Sequence, residues 1–555
     1  MSEKKNSAAM STENHGLKKY DIKVSTVVFM IFCLVAAGCY GIEEMIPEAG
    51  PGLTITLLVV LPFIWGLPFG LVASELGSVR PQEGGYYKWV QEALGEFWGF
   101  QAGWWRTISI YIDNTLYVIL AGGYIAGEWN LSAPVEFGIK CLMILIFTWI
   151  NIRGVKDVGI VSTGLSLLVI VAFGLVAICG FMNWTGEIGP FTPEPAEGAS
   201  DWFFYIAGGL SIGMWMYSGY ESMSTIAGEV KNPQVIPKGT MITIPLIMAV
   251  YILPTVASLG SLGMWEDWSP DGTGYATVVT TFWGPAFGVF FIIVAVLAQC
   301  SIYNTYIASG SRGFFALADD NLAPPILVKC DKKHGVPYVA VLSVGIVNLV
   351  LCMLPFGVVI VVDVFLLVSS YIMVYLSAII LRKRIPREEY QFRIPGGMPL
   401  LYLICIVPIC VALFSFFVNG SDYFVGGMIG IISGPILYII WRKMYGGLSK
   451  KDPVAFPANP KTGLAMGDMR RMSVMFFILG AIGIAGNFFL PWYEDGWEAA
   501  DYFDGMFENA GDSVVATTML LIKIITVVVL AIAVICAIIA AKIEPKKGEM
   551  ITQNK

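Results

Sequence analysis

The feature that most constrains this chain is a recurrence. Between residues 24 and 541 it returns repeatedly to apolar stretches, each long enough to cross roughly 30 Å of hydrocarbon. Fourteen can be read, at about 24–50, 53–77, 95–126, 134–150, 155–182, 202–229, 240–262, 282–310, 337–356, 360–382, 398–418, 422–441, 472–491 and 513–541. Backbone in lipid must satisfy its own hydrogen bonds, and stretches of this length do so as helices. Composition agrees. Only 14% of the residues are charged, against about 25% in soluble domains. The expected class is all-α and integral to a membrane.

The distribution of basic residues tests this count, because Lys and Arg collect on the cytoplasmic side. With fourteen spans and the N-terminus inside, 31 of the 34 Lys and Arg residues fall in inner segments. Arg106, Lys140 and Lys523 remain, each within a span. The expected outer loops are acidic instead, with Glu187, Glu194, Glu197 and Asp201 in one and Glu266, Asp267 and Asp271 in another. The long loop before the last span holds Glu494, Asp495, Glu498, Asp501, Asp504, Glu508 and Asp512, which would raise the local concentration of a polycation.

The organisation expected is therefore a cytoplasmic tail (1–23), spans 1–5 (24–182), spans 6–10 (202–382), spans 11–12 (398–441), a cytoplasmic loop (446–471), spans 13–14 (472–541) and a second cytoplasmic tail (542–555). No small-residue cleavage site follows the basic N-terminus. The expected location is the cell membrane, with both termini in the cytoplasm.

Two spans carry interruptions. The first breaks at Gly38-Cys39-Tyr40-Gly41 and continues with Glu43 and Glu44; the sixth breaks at Ser218-Gly219-Tyr220 and continues with Glu221. Glycine weakens a helix by about 1 kcal/mol relative to alanine, and unwound backbone is tolerated at membrane depth only where it lines a cavity. The breaks lie five spans apart. An odd number of spans per repeat inverts the second copy, so spans 1–5 and 6–10 fit an inverted repeat whose discontinuous helices mark a substrate site. Small residues also serve close helix packing, but packing gives no reason for a carboxylate at each break, which is costly in a bilayer.

Candidate site residues follow: Gly38, Tyr40, Gly41, Glu43, Glu44, Asp113, Trp215, Gly219, Tyr220 and Glu221. A helix N-terminus carries about half a positive charge and invites an anion. Glu43 and Glu44 stand in the first turn of the outer half of span 1, where they would answer that charge and draw in an ammonium group. Successive helical residues point about 100° apart, so one of the two is expected to face the cavity; the alternative is that both cap the half-helix. Glu221, placed equivalently in span 6, is the candidate for contacting the amine and carrying a coupling proton. Asp113 and Arg106, seven residues apart, share a face of span 3; Asp113 would face the outer vestibule and Arg106 serve a structural ion pair. Tyr40, Trp215 and Tyr220 offer ring faces to a cation. Glu75 and Glu229, at cytoplasmic ends of their spans, read as gating or packing residues.

Other classes fit poorly. His15 and His334 are the only histidines and there is no CxxC pair, leaving a metal centre almost no ligands. None of the ten cysteines falls in an expected outer loop, so no disulfide framework is expected. No GxxxxGK[ST] motif is present to drive an ATP pump, no ring of filter residues suggests a channel, and no clustered nucleophile and base suggests an enzyme. No nucleic-acid partner is expected, and the sequence leaves the oligomeric state open.

Several segments together resemble a known family. They are Gly38-Cys39-Tyr40-Gly41-Ile42-Glu43-Glu44; Ser74-Glu75-Leu76-Gly77 with Pro81-Gln82-Glu83-Gly84-Gly85-Tyr86-Tyr87; Gly99-Phe100-Gln101-Ala102-Gly103-Trp104; Ile112-Asp113-Asn114-Thr115-Leu116-Tyr117; and Glu221-Ser222-Met223-Ser224-Thr225-Ile226-Ala227-Gly228-Glu229. In these the chain resembles the amino acid–polyamine–organocation superfamily over about residues 24–440, and within it the polyamine-uptake branch of plants and protozoa. The resemblance implies a LeuT-like fold, alternating access, and secondary transport of an amine or amino acid, usually driven by protons. Sodium is the other coupling ion to consider, with hydroxyls such as Ser309 as ligands, and no further cofactor is implied. Two departures stand out. Many amino-acid carriers of the superfamily hold a coupling lysine inside the fifth span, yet residues 157–182 contain no Lys. Spans 13 and 14 lie beyond the common twelve.

Overall fold

The computed structural model describes residues 21–36, 38–81, 84–153, 158–220, 230–232, 234–269, 273–331, 335–494 and 511–543; at 158–162, 494 and 511–515 it describes backbone alone. Eleven helices among these residues are long and apolar enough to cross a membrane. They are span 2 (Pro51–Val79), span 3 (Glu96–Trp129), span 4 (Ala133–Arg153), span 5 (Val158–Met182), span 7 (Val235–Leu262), span 8 (Pro285–Asp319), span 10 (Phe356–Arg384), span 11 (Gly397–Val418), span 12 (Ser421–Tyr445), span 13 (Asp468–Glu494) and span 14 (Gly511–Ile543). Shorter helices stand at the other three expected crossings. Span 1 is divided into Val24–Val35 and Ile42–Ala49, span 6 is helical over Ala199–Met216, and span 9 covers Tyr338–Leu351.

Two short helices that apolar length alone does not reveal, Gly85–Leu94 and Tyr275–Trp283, precede spans 3 and 8. Each is too short to cross and packs along the long helix that follows it. Span 2 contains Pro62 and Pro68, and a π-helical turn at Pro62–Gly66 absorbs the disturbance that prolines cause inside a helix.

Span 3 is enclosed by spans 8 and 10, its principal neighbours, and presents Arg106, Ser109, Asp113 and Asn114 fully to protein. The outer helices instead turn large apolar side chains outward: Val59 and Phe63 of span 2, Leu142, Leu145 and Trp149 of span 4, and Val527 of span 14. This inverted dressing suits lipid contact and would be an aggregation hazard in water. Lys140, one of the three basic residues within spans, pairs with Glu136 one turn away at 2.5 Å.

The basic residues gather on one face of the bundle. Arg382 at the end of span 10 pairs with Glu75 at the end of span 2 at 3.2 Å, both buried, and Glu75 also accepts the Ile394 N–H at 2.7 Å. Arg80, beyond span 2, reaches Glu92 at 2.9 Å and Glu389 at 3.1 Å. The loop after span 12 is clasped to the same face, where Glu96 at the start of span 3 takes the Arg442 guanidinium and the Leu448 N–H. The Tyr438 hydroxyl is within hydrogen-bond reach of both Glu96 and Asp468, at 3.0 and 2.6 Å, bringing spans 12 and 13 together with span 3. Spans 13 and 14 form a tightly packed hairpin, closed by Thr526 Oγ accepting from Asn487 at 3.1 Å.

Asp320 sits at the C-terminal end of span 8, where the helix already presents partial negative charge. It is held by Tyr87 at 2.6 Å, Gln91 at 3.1 Å, Lys451 at 3.1 Å and by Lys88. Burial alone would raise its carboxyl; the lysines and the tyrosine outweigh that and hold it below the usual aspartate range. A lowered folded-state pKa contributes stability above the ordinary aspartate pKa and loses it as pH falls through the lowered value. The Asp320→Asn protein should therefore melt earlier than wild type at neutral pH, and the gap should narrow in acid. Thermal unfolding in detergent across that range measures this, and a gap that widens toward acid would contradict it.

Candidate substrate site

Span 1 unwinds after Val35 because two of its glycines adopt backbone that side chains disfavour. Gly38 has φ +114° and Gly41 has φ +96°, and a Cβ on Gly38 would collide with the Phe173 ring of span 5. The helix of span 6 stops at Met216, and Gly219 follows with φ +104°. The two breaks lie against each other: a Cβ on Gly41 would stand 3.2 Å from the Trp215 ring, and one on Gly219 3.5 Å from the Leu34 carbonyl. The Tyr251 hydroxyl of span 7 is within hydrogen-bond reach of the Val35 and Met216 carbonyls, at 3.2 and 3.0 Å, one from each break. The Gly219 N–H donates to Tyr371 of span 10 at 3.2 Å.

The acidic residues separate by role. Glu43 is buried, and its two oxygens accept from the Gly41 N–H at 3.0 Å and from the Tyr124 hydroxyl of span 3 at 3.1 Å. Glu44 is only half-buried. Of the two, Glu43 thus faces inward, and it caps the half-helix as it does so. Asp113 is also buried; it accepts from Trp215 Nε1 at 2.7 Å and from the Tyr117 hydroxyl. It stands within the protein rather than in an outer vestibule. Glu221, with Glu229, lies outside the described residues, as does the acidic loop over 495–510.

Between the breaks is a small cavity walled by Val35 and Tyr40 of span 1, Tyr117 of span 3, Trp215 of span 6, and Gln299 and Ile302 of span 8. Glu43 and Asp113 do not line it; they stand behind its aromatic wall. Tyr117 and Trp215 stack at 5.8 Å between centroids, and Tyr40 packs edge-on against Tyr124 at 5.5 Å and Phe173 at 4.9 Å. Tyr220 turns the other way. It lines a second small cavity toward the basic face with Ser74, Gly77, Pro237 and Thr240, and Ser74 adjoins Glu75 in sequence. Of the nominated residues, Tyr40 and Trp215 therefore touch the first cavity directly. Gly38, Gly41 and Gly219 shape the breaks, and Glu43 and Asp113 stand behind the wall.

Sequence reasoning passed over three side chains. Asp363, two turns into span 10, is fully buried and accepts from Ser109 at 2.6 Å, while Ser109 accepts from Arg106 at 2.8 Å. Arg106 is thus linked through a hydroxyl to an acid of span 10. A carboxylate inside an apolar span is a functional signal by itself, and it was available in Val361-Val362-Asp363-Val364. Gln299 and Tyr306 on span 8 face the breaks, the Tyr306 hydroxyl lying 2.7 Å from where a Cβ on Gly219 would be. Among the described residues no group of three His, Cys, Asp or Glu side chains is disposed to hold a metal ion. Ser309, proposed as a sodium ligand, is buried.

Comparison with known proteins follows the same lines. A sequence-family profile described as amino acid permease matches residues 22–441. The chain is 27% identical over 429 residues to the polyamine transporter RMV1 of Arabidopsis thaliana, covering 76% of this chain and 86% of that one. It is 24% identical over 446 residues to the serine/threonine exchanger SteT of Bacillus subtilis, covering 77% and 98%. Among solved structures, MhsT in complex with L-phenylalanine superposes with a TM-score of 0.56 at 15% identity, covering 73% of this chain and all of that one. The fold is LeuT-like, with spans beyond residue 441 lying outside the family match.

Trp215 tests the link between wall and carboxylate. Trp215→Phe keeps a ring in place and deletes the donor to Asp113. Hydrogen bonds to charged groups contribute about 1.5–3 kcal/mol, so the variant should unfold at a clearly lower temperature in detergent. An unchanged unfolding midpoint would mean that the Trp215–Asp113 bond does not hold the break in place.

Proposed function

The chain belongs to the amino acid permease family and is a multi-pass membrane transporter rather than an enzyme; from that premise we propose that it imports small organic amines, polyamines foremost. One observation carries the choice of substrate. In transporters with paired broken helices, the half-helix N-terminus serves anionic groups such as a substrate carboxylate. Here the Gly41 N–H at that position already donates to the chain's own Glu43, and the Gly219 N–H of the other break donates to Tyr371. A solute that brings its own carboxylate meets occupied donors and the negative charge of Glu43 and Asp113. A solute that brings only ammonium groups meets a favourable field and aromatic faces.

Transport proceeds by alternating access, with the basic face in the cytoplasm of a cell whose plasma membrane holds the protein. The Glu75–Arg382 pair and the Arg80 pairs act as the inner gate. Protons are the proposed driving ion. Glu43, Asp113 and Asp363 are carboxyls enclosed within the spans, and each is able to carry a proton past the hydrocarbon. Exchange of amino acids is the rival reading, and the likeness to a serine/threonine exchanger is what favours it.

Uptake of labelled putrescine into proteoliposomes, with an acid-outside gradient and a competitor panel, separates the two. Spermidine and unlabelled putrescine should compete, neutral amino acids should not, and collapse of the pH gradient should abolish accumulation above equilibrium. Competition by serine or threonine, with exchange but no accumulation, would overturn the proposal. Within the same assay Glu43→Gln, which keeps a cap for Gly41 but removes the charge, should raise KM for putrescine about tenfold, equivalent to about 1.4 kcal/mol. An unchanged KM would remove Glu43 from amine binding.

A further inference from the structure

The wall of the cavity between the breaks has two polar atoms with no partner among the described residues. They are the Tyr40 hydroxyl and the Gln299 amide oxygen. Tyr40 is 2% exposed and Gln299 1% exposed, so bulk water does not serve them. Two further polar groups of the wall are engaged, since Trp215 Nε1 and the Tyr117 hydroxyl both donate to Asp113. A buried acceptor left without a donor costs about 1–3 kcal/mol, and such groups in a native structure call for a reason. Tyr40 comes from the break of span 1 and Gln299 from span 8, so the two acceptors reach the same small space from different helices. Beside them the stacked Tyr117 and Trp215 rings offer π faces, with the Asp113 carboxylate behind.

We propose that Gln299 and Tyr40 form a subsite that reads the N–H groups of a substrate's ammonium end. This rests on the amine reading above and sharpens it to a class: primary and secondary amines, with quaternary ammonium compounds rejected. The rings alone would not make that distinction, because a cation held over an aromatic face is accepted with or without N–H, and quaternary ammonium is a favoured ligand of such cages. Two acceptors change the outcome. A bound primary ammonium donates to both, whereas a trimethylammonium leaves both buried and unpaired. Sites built to hydrogen-bond a substrate group discriminate strongly against analogues that lack it. Charge, chain length and apolar surface are the same or greater in the methylated compound, so the discrimination isolates the acceptors.

The full-length chain in proteoliposomes is tested by competition against labelled putrescine uptake, using unlabelled putrescine and its bis-trimethylammonium analogue. Wild type should prefer the primary diamine by at least about tenfold. In Gln299→Leu and in Tyr40→Phe, which deletes only the hydroxyl, that ratio should fall severalfold, chiefly through weaker binding of putrescine. A variant that binds but no longer transports is read by the shift in its thermal unfolding midpoint with each compound, and should Gln299→Leu fail to fold, Tyr40→Phe decides. A wild-type ratio within twofold of one, or a ratio unchanged in the variants, overturns the subsite while leaving amine transport standing. No putrescine uptake by the wild type would overturn the amine reading, and this subsite with it.

Discussion

Unwound backbone inside a membrane persists only where other parts of the protein supply the hydrogen bonds that the helix gave up. That requirement organises the centre of this molecule. The Gly41 amide is met by Glu43, the Gly219 amide by Tyr371, and the Tyr251 hydroxyl stands within reach of both the Val35 and the Met216 carbonyl. The partners come from spans 1, 10 and 7, so the breaks are stable only when those spans are in place around them. The Cys39 thiol adds a bond to the Val250 carbonyl at 2.8 Å. A local weakness in two helices thereby becomes a junction of four.

The same bonds decide what the junction has left to offer a solute. An amide given to a side-chain carboxylate is no longer a site for a substrate carboxylate, so in the proposed amine site the capping role and the binding role of Glu43 are not alternatives. Capping is how the carboxylate imposes its sign on the space beside it. Asp113 does likewise through Trp215 and Tyr117, which take its bonds on one edge and present their rings to the cavity on the other. The acids act at one remove, and what touches the space directly is aromatic, aliphatic or an uncharged acceptor. Under the proposed function, a cation entering it exchanges water for ring faces and dipoles without forming a direct ion pair, an arrangement that still allows release.

Much of this architecture was legible in the sequence, and the reasons differ by element. The spans were readable because hydrophobic length is a physical requirement of the bilayer, and the breaks because glycines next to carboxylates have no packing rationale there. Which of Glu43 and Glu44 faces inward was not readable, since adjacent helical positions differ by a rotation that only the neighbouring Tyr124 fixes. Tyr220 was expected, like Tyr40 and Trp215, to offer its ring face at the breaks, yet it lines the second cavity, because a place at a break does not fix the direction of the side chain. Asp363 and Gln299 carry no motif. Each is a single polar residue in an apolar run, and its meaning depends on the helix opposite: span 3 for Asp363, and the break of span 1 for Gln299.

The proposed inner gate rests on the Glu75–Arg382 pair of the basic face. Glu75 and Arg382 are buried, and removing one member of a buried pair typically costs about 3–5 kcal/mol because the other is left charged and unpaired. Opening the gate is a different process, since it releases both partners into water together and each regains its hydration. The net difference between closed and open is then far smaller than the mutational penalty, as a carrier needs if a modest differential affinity is to shift its states. The Asp320 and Glu96 clusters are wired otherwise: they join the ends of spans 3, 8, 12 and 13 and the helix Gly85–Leu94, with no partner from spans 1, 2, 6 or 7 among the described bonds. The two groups of bonds meet at the helix Gly85–Leu94: Arg80 at the end of span 2 pairs with its Glu92 and Arg384 of span 10 donates to its Ala93 carbonyl, while Lys88 and Tyr87 of the same helix hold Asp320.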